Sequence, residues 1–103
     1  MHKKKIQEAE QDFFAALNLD SRFVPAHYFL GQIAMHKNDL KMAEWHFNQA
    51  QKLLPEYLAA WIGLSELYLA IGDMEKFQEA YQEYKKVGGQ LVPDYEKVLS
   101  SLK

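Results

Sequence analysis

The chain has no cysteine, so neither a disulfide framework nor a thiolate metal site can hold it together. It has no apolar run approaching the ~20 residues that span a bilayer, so no direct membrane insertion is expected. It lacks a strong charge of either sign: 12 Lys and Arg face 14 Asp and Glu, for a net charge of −2. That balance excludes broad attraction to nucleic acid or to anionic lipid. Lys3-Lys4-Lys5 and Lys85-Lys86 are the only basic clusters, and they lack the interleaved aromatics of a nucleic-acid surface. The basic start, Met1 to Lys5, has no apolar segment behind it and is not a secretory signal. Nothing here fixes a compartment; a soluble domain is expected, with the cytoplasm favoured.

Prolines number three and glycines five, and they fall at regular places. Between them the apolar residues recur at three- and four-residue steps, the period of a helix face. Ile6, Ala9, Phe13, Ala16 and Leu17 mark a helix over 3–19. Pro25 suits the first turn of a second helix, which runs from Ala26 to Lys37. Asn38-Asp39 makes a turn, and Asp39 can cap a third helix from Leu40 to Leu53 or Leu54. Pro55 stops it. The cycle returns with helices over 58–71 and 74–87, joined by Gly72-Asp73. Gly88-Gly89 closes the fifth helix. Pro93 opens a sixth, to about Leu102. No strand pattern and no linker interrupts the series.

The returns keep a period of 34 residues. Ala9, Ala43 and Phe77 coincide, as do Phe13, Phe47 and Tyr81, then Ala16, Ala50 and Tyr84. In the other helix type, His27, Trp61 and Tyr95 coincide, and so do Leu30, Leu64 and Val98. Trp61-x-x-Leu64-Ser65-x-x-Tyr68, with Leu30-Gly31 and Ala43, Phe47, Ala50 and Pro55 in the unit before, resembles the tetratricopeptide repeat. The resemblance implies an all-α, right-handed superhelix of antiparallel helix pairs, here with six helices in one domain. Residues 3–23 read as the second helix of a truncated repeat, 24–57 and 58–91 as full repeats, and 92–103 as a capping or truncated first helix. The chain then reads as part of a longer array. Small residues at Gly31 and Ala43 would let paired helices approach, and Trp61, Tyr68 and Phe47 would fill the gaps between hairpins. The second full unit departs from the pattern: Phe77 and Tyr84 replace small residues, and Gly89 replaces proline.

No catalytic constellation emerges, and a non-enzyme is expected. Ser21, Ser65, Ser100 and Ser101 lie in no nucleophile elbow. Gly88-Gly89 is too short for a phosphate loop and lacks the Lys-Ser or Lys-Thr that follows one. Among the four histidines, His27 and His36 point to opposite faces of one helix, and His27 fills the packing slot of Trp61. We expect no metal and no cofactor. Glu75, Glu79 and Glu83 share a solvated helix face. Trp45 is read as a packing residue, since large aromatics are usually well buried.

What remains is surface shape. First helices of stacked hairpins line the concave side of such an array, and concave surfaces take peptides or helices. The residues expected there are Tyr28, Gln32, Met35 and His36, then Ala59, Ile62, Glu66 and Leu69. Some members of the family grip a terminal carboxylate with Lys, Asn and Arg in these slots. Here the slots hold Tyr28, Gln32, Ile62 and Glu66, so that clamp is absent. The expected function is binding of a protein or peptide partner in this groove, as part of a scaffold or adaptor. The alternative is self-assembly with no separate ligand, through Ile6, Phe13, Phe14 and Leu17 on helix 3–19, a second helix expected to lack its partner.

Overall fold

The structure, a computed structural model, describes residues 3–102; Met1, His2 and Lys103 lie outside the described residues. It contains α1 (Lys3–Leu19), α2 (Val24–His36), α3 (Leu40–Leu53), α4 (Leu58–Ile71), α5 (Met74–Lys86) and α6 (Pro93–Ser101), with no strand among the described residues. Helix α2 pairs with α3 and α4 with α5, and the pairs stack into an elongated body of 44 × 27 × 20 Å.

Local chemistry repeats with the same period as the sequence. Asn38 and Gly72 both take left-handed backbone, at φ 62° and 80°. Each closes its helix with the paired main-chain bonds of a Schellman turn: Asp39 N–H reaches Ala34 O, and Asp73 N–H reaches Tyr68 O. The next residue caps the following helix. Asp39 accepts from the Met42 N–H at 3.3 Å and Asp73 from the Lys76 N–H at 3.1 Å. Two residues therefore reverse the chain, and the helices of a pair are held close.

The core follows the small and large slots of the repeat. Ala43, Ala50 and Ala60 are buried, and so are Phe47, Leu64, Leu67, Phe77 and Tyr81. Phe47 decides the geometry of the middle joint. A Cβ added at Gly31 would stand 2.6 Å from its ring, and one at Gly63 would stand 2.7 Å from it. The ring is thus clamped between the backbones of α2 and α4, and only glycine on both sides permits that approach.

The far end is closed by the last helix. Tyr95 lays its ring edge-on against Phe77 and Tyr81, with centroids 5.2 and 5.4 Å apart. The Tyr81 hydroxyl donates to the Glu96 carboxylate and accepts from the Val92 N–H at 2.9 Å. Helix α6 covers the bulk that Phe77 and Tyr81 bring to slots held by Ala43 and Phe47 one unit earlier.

Candidate functional site

The near end is open. At the place in α2 that matches Gly63 stands Phe29. A phenyl group there blocks the clamp, so Phe13, the counterpart of Phe47, cannot enter between backbones. It stacks flat on Phe29 instead, with centroids 5.2 Å apart and planes 16° from parallel. Beside this pair lies a cavity of about 550 Å³, lined by Ile6, Ala9 and Phe13 of α1, by Phe29, Gln32, Ile33, Met35 and His36 of α2, and by Glu66 of α4. Its volume is in the range of ordinary ligand sites.

The structure divides the expected groove residues. Gln32, Met35, His36 and Glu66 line this cavity. Tyr28 is half-buried: its ring packs on Phe29, Phe47 and Tyr57, and its hydroxyl accepts a hydrogen bond from the Gln32 amide. Leu69 packs against the core, and Ala59 and Ile62 are half-buried and line no cavity described here. The four residues expected on a self-association surface do not line one cavity. Ile6, only 8 % exposed, and Phe13 face the cavity. Phe14 turns away, its ring against His46, and lines a smaller depression of about 170 Å³ with Glu10, Lys37 and Met42. Leu17 is half-buried and lines neither.

Electrostatics in the cavity centre on Glu66. It is exposed, and the three ion pairs among the described residues (Lys37 with Glu10, Lys76 with Glu44, Lys85 with Glu96) all lie elsewhere. No lysine or arginine lines the cavity. The Tyr28 hydroxyl is held above its usual pKa by burial first, then by Tyr57 and Glu66. Tyr95 is raised by burial and then by Glu66. Burial thus keeps the Tyr28 and Tyr95 hydroxyls neutral near Glu66, and among the described residues no lysine or arginine shares the cavity with it.

Sequence reasoning missed a histidine pair. His27 and His46 are both buried, and their Nδ1 atoms stand 3.2 Å apart. His27 Nε2 lies 3.1 Å from Ser21 O. One unit later Trp61 Nε1 donates to Pro55 O at 2.7 Å, so His27 repeats the tryptophan's bond as well as its slot. The carbonyl can only accept, which places the His27 proton on Nε2 and leaves Nδ1 to accept from the His46 Nδ1–H. Burial, and then His27, lower the pKa of His46 to about 4. Among the described residues no group of three His, Asp or Glu side chains could hold a metal ion. A signal existed in the repeat: the partner slot of Trp61 is Ala80, and the same slot one unit earlier is His46. A smaller ring at 27, in place of Trp61, is balanced by a larger side chain at 46, in place of Ala80.

Trp45 corrects the packing expectation. It stays 50 % exposed, with its ring edge against His27 and His46. It sits on α3 where no helix among the described residues covers it.

A family model described as Tetratricopeptide repeat matches residues 24–57 and 58–87, well over half of the chain. The chain belongs to the tetratricopeptide-repeat family. No curated protein matches it. Tetratricopeptide repeats are as a rule non-catalytic modules that bind other proteins. The all-helical stack of repeated pairs agrees with that family. No helix among the described residues is long and apolar enough to cross a membrane.

Proposed function

We propose that this tetratricopeptide-repeat domain is a non-catalytic interaction module that binds a peptide or helix of a partner protein along α1, α2 and α4, as part of a scaffold or adaptor. The observation that carries the reading is the cavity beside Phe13 and Phe29. Its lining is mostly apolar, with Gln32, His36 and Glu66 as the polar members, and its volume of about 550 Å³ is in the range of ordinary ligand sites. Adaptable Met35 on its wall suits a surface that repacks around a ligand. Relative to the expected groove, the site moves toward α1 and away from Ala59 and Ile62.

Selection of random 16-residue peptides displayed on phage tests this. Enriched peptides should bind the protein and be lost, by at least about tenfold in affinity, on Met35→Asp, because that change puts a charge in the apolar wall. Peptides that bind both proteins equally would remove the cavity from the function.

Self-assembly is the second reading. It draws on Phe14, Leu19 and Phe23, which are 44 %, 92 % and 44 % exposed near one end of α1. Sedimentation velocity at ~0.1 mM, a level at which weak contacts populate, would show a dimer; a clean monomer would end this reading.

A further inference from the structure

The occupant of the cavity can be specified further, on the reading that the cavity is the binding site. The repeat itself says what shape fits. Helix α1 holds the place that α3 holds one unit later, and α2 the place of α4. In the later unit, the space flanked by α3 and α4 on the side of Gly31 and Gly63 is filled by α2, a first helix. One unit earlier the corresponding walls, Ala9 and Phe13 of α1 with Phe29 and Ile33 of α2, border the cavity. The walls are those of a helix slot. Because Phe13 has folded back onto Phe29, the slot is shallower than its counterpart and offers ring faces in place of a backbone clamp. From Phe29 to His36 along α2 the lining runs about 10 Å, or two helical turns.

Charge says what chemistry fits. Apart from Gln32 and His36 the wall along those two turns is apolar, and Glu66 of α4 also lines it, exposed and outside every ion pair among the described residues. A partner carboxylate placed there would meet like charge, and a purely apolar partner would leave the carboxylate facing a desolvated surface. A cation satisfies it.

We propose that the partner is a basic amphipathic helix, with apolar side chains at i and i+4 seated on Phe13, Phe29 and Ile33 and one lysine or arginine paired with Glu66. Lying in a first-helix slot, it runs alongside α2, and its charged face points to solvent. The site reads a positive charge, opposite in sign to a clamp for a terminal carboxylate.

Two synthetic helical peptides test this. Both are capped at each end and built from Ala and Gln, with Leu at i, i+4 and i+7. They differ only at the next position on the leucine face, which carries Lys in one and Glu in the other. Each is titrated into the whole chain and into Glu66→Gln and Glu66→Lys by fluorescence anisotropy at low salt. The Lys peptide should bind the unaltered protein about tenfold more tightly than the Glu peptide. Glu66→Gln should shrink the preference and Glu66→Lys should reverse it. Glu66 is exposed and outside the ion pairs among the described residues, so these changes should leave the fold intact, which helicity by circular dichroism checks. If both peptides bind equally to all three proteins, the charge proposal falls and the groove reading stands. If the Lys preference survives Glu66→Lys, the cation is read elsewhere and the proposal also falls. If neither peptide binds, both readings fail. A dimer in sedimentation that neither peptide dissociates gives the slot to a second copy and overturns the proposal.

Discussion

The two joints around α2 use the same slots for opposite ends. Between α3 and α4, Phe47 is wholly buried and clamped by Gly31 and Gly63. Between α1 and α2, the equivalent Phe13 is only half-buried, because Phe29 stands where the glycine would be. One residue type at one slot turns a closed joint into an open cavity. The first arrangement removes a full aromatic surface from water and ties two hairpins together. The second leaves aromatic faces lining a space of about 550 Å³. Stability and binding thus sit at adjacent joints of one repeat.

The comparison breaks most sharply at the two phenylalanines themselves. Phe47→Ala should cost about 4 kcal/mol, as expected for a fully buried ring in a rigid site. Phe13→Ala should cost only about 1–2 kcal/mol, because its ring is only partly buried. Urea denaturation of the two variants measures both. Equal losses would mean the joints are equally closed.

Acid is next in size, and it acts at the His27–His46 contact between α2 and α3. Unfolded His46 titrates near 6.5 and native His46 at about 4, so between those values the unfolded chain binds more protons. Stability is full above pH ~6.5 and falls as the pH drops toward ~4, by about 3 kcal/mol for a shift of this size. The double variant His27→Trp with His46→Ala copies Trp61 and Ala80 of the next unit. It should keep its stability at pH 7 and lose this acid slope. Persistence of the slope in the double variant would place its origin outside the pair.

Glycine provides a finer contrast. Gly→Ala inside a helix ordinarily stabilises by up to about 1 kcal/mol. Gly63→Ala should instead destabilise by about 1–3 kcal/mol, since Phe47 is held from both sides and cannot yield. Phe29→Ala, at the matching slot, should change stability by about 1 kcal/mol and weaken peptide binding. Thermal melts and the peptide titrations check the pair of effects together.

Much of the fold was legible because the repeat is written in residues that do one physical job each. Asp39 and Asp73 cap, Gly72 turns, and Gly31 gives room to Phe47. These are local or nearest-neighbour demands, and a period of 34 exposes them. The candidate site was only partly legible. Gln32, Met35, His36 and Glu66 were found from the slots left over by the repeat. Phe29 was not, although its place opposite Gly63 held the clue that the first joint could not close. The histidine pair joins residues 19 apart on separate helices. It becomes visible only when two slots are compared together, Trp61 with Ala80 and His27 with His46. Trp45 was misjudged because burial on the outer face depends on whether another element covers it, and its own helix carries no sign of that.

The most direct test of the open joint is a methyl NMR titration of the chain with the Leu/Lys helical peptide. Shifts are expected at the methyl groups of Ile6, Ile33 and Met35, which line the cavity, and none at Leu64 and Leu67 in the closed joint. Shifts centred on Ala59 and Ile62, with Ile6 and Ile33 unmoved, would contradict the open joint as the binding site.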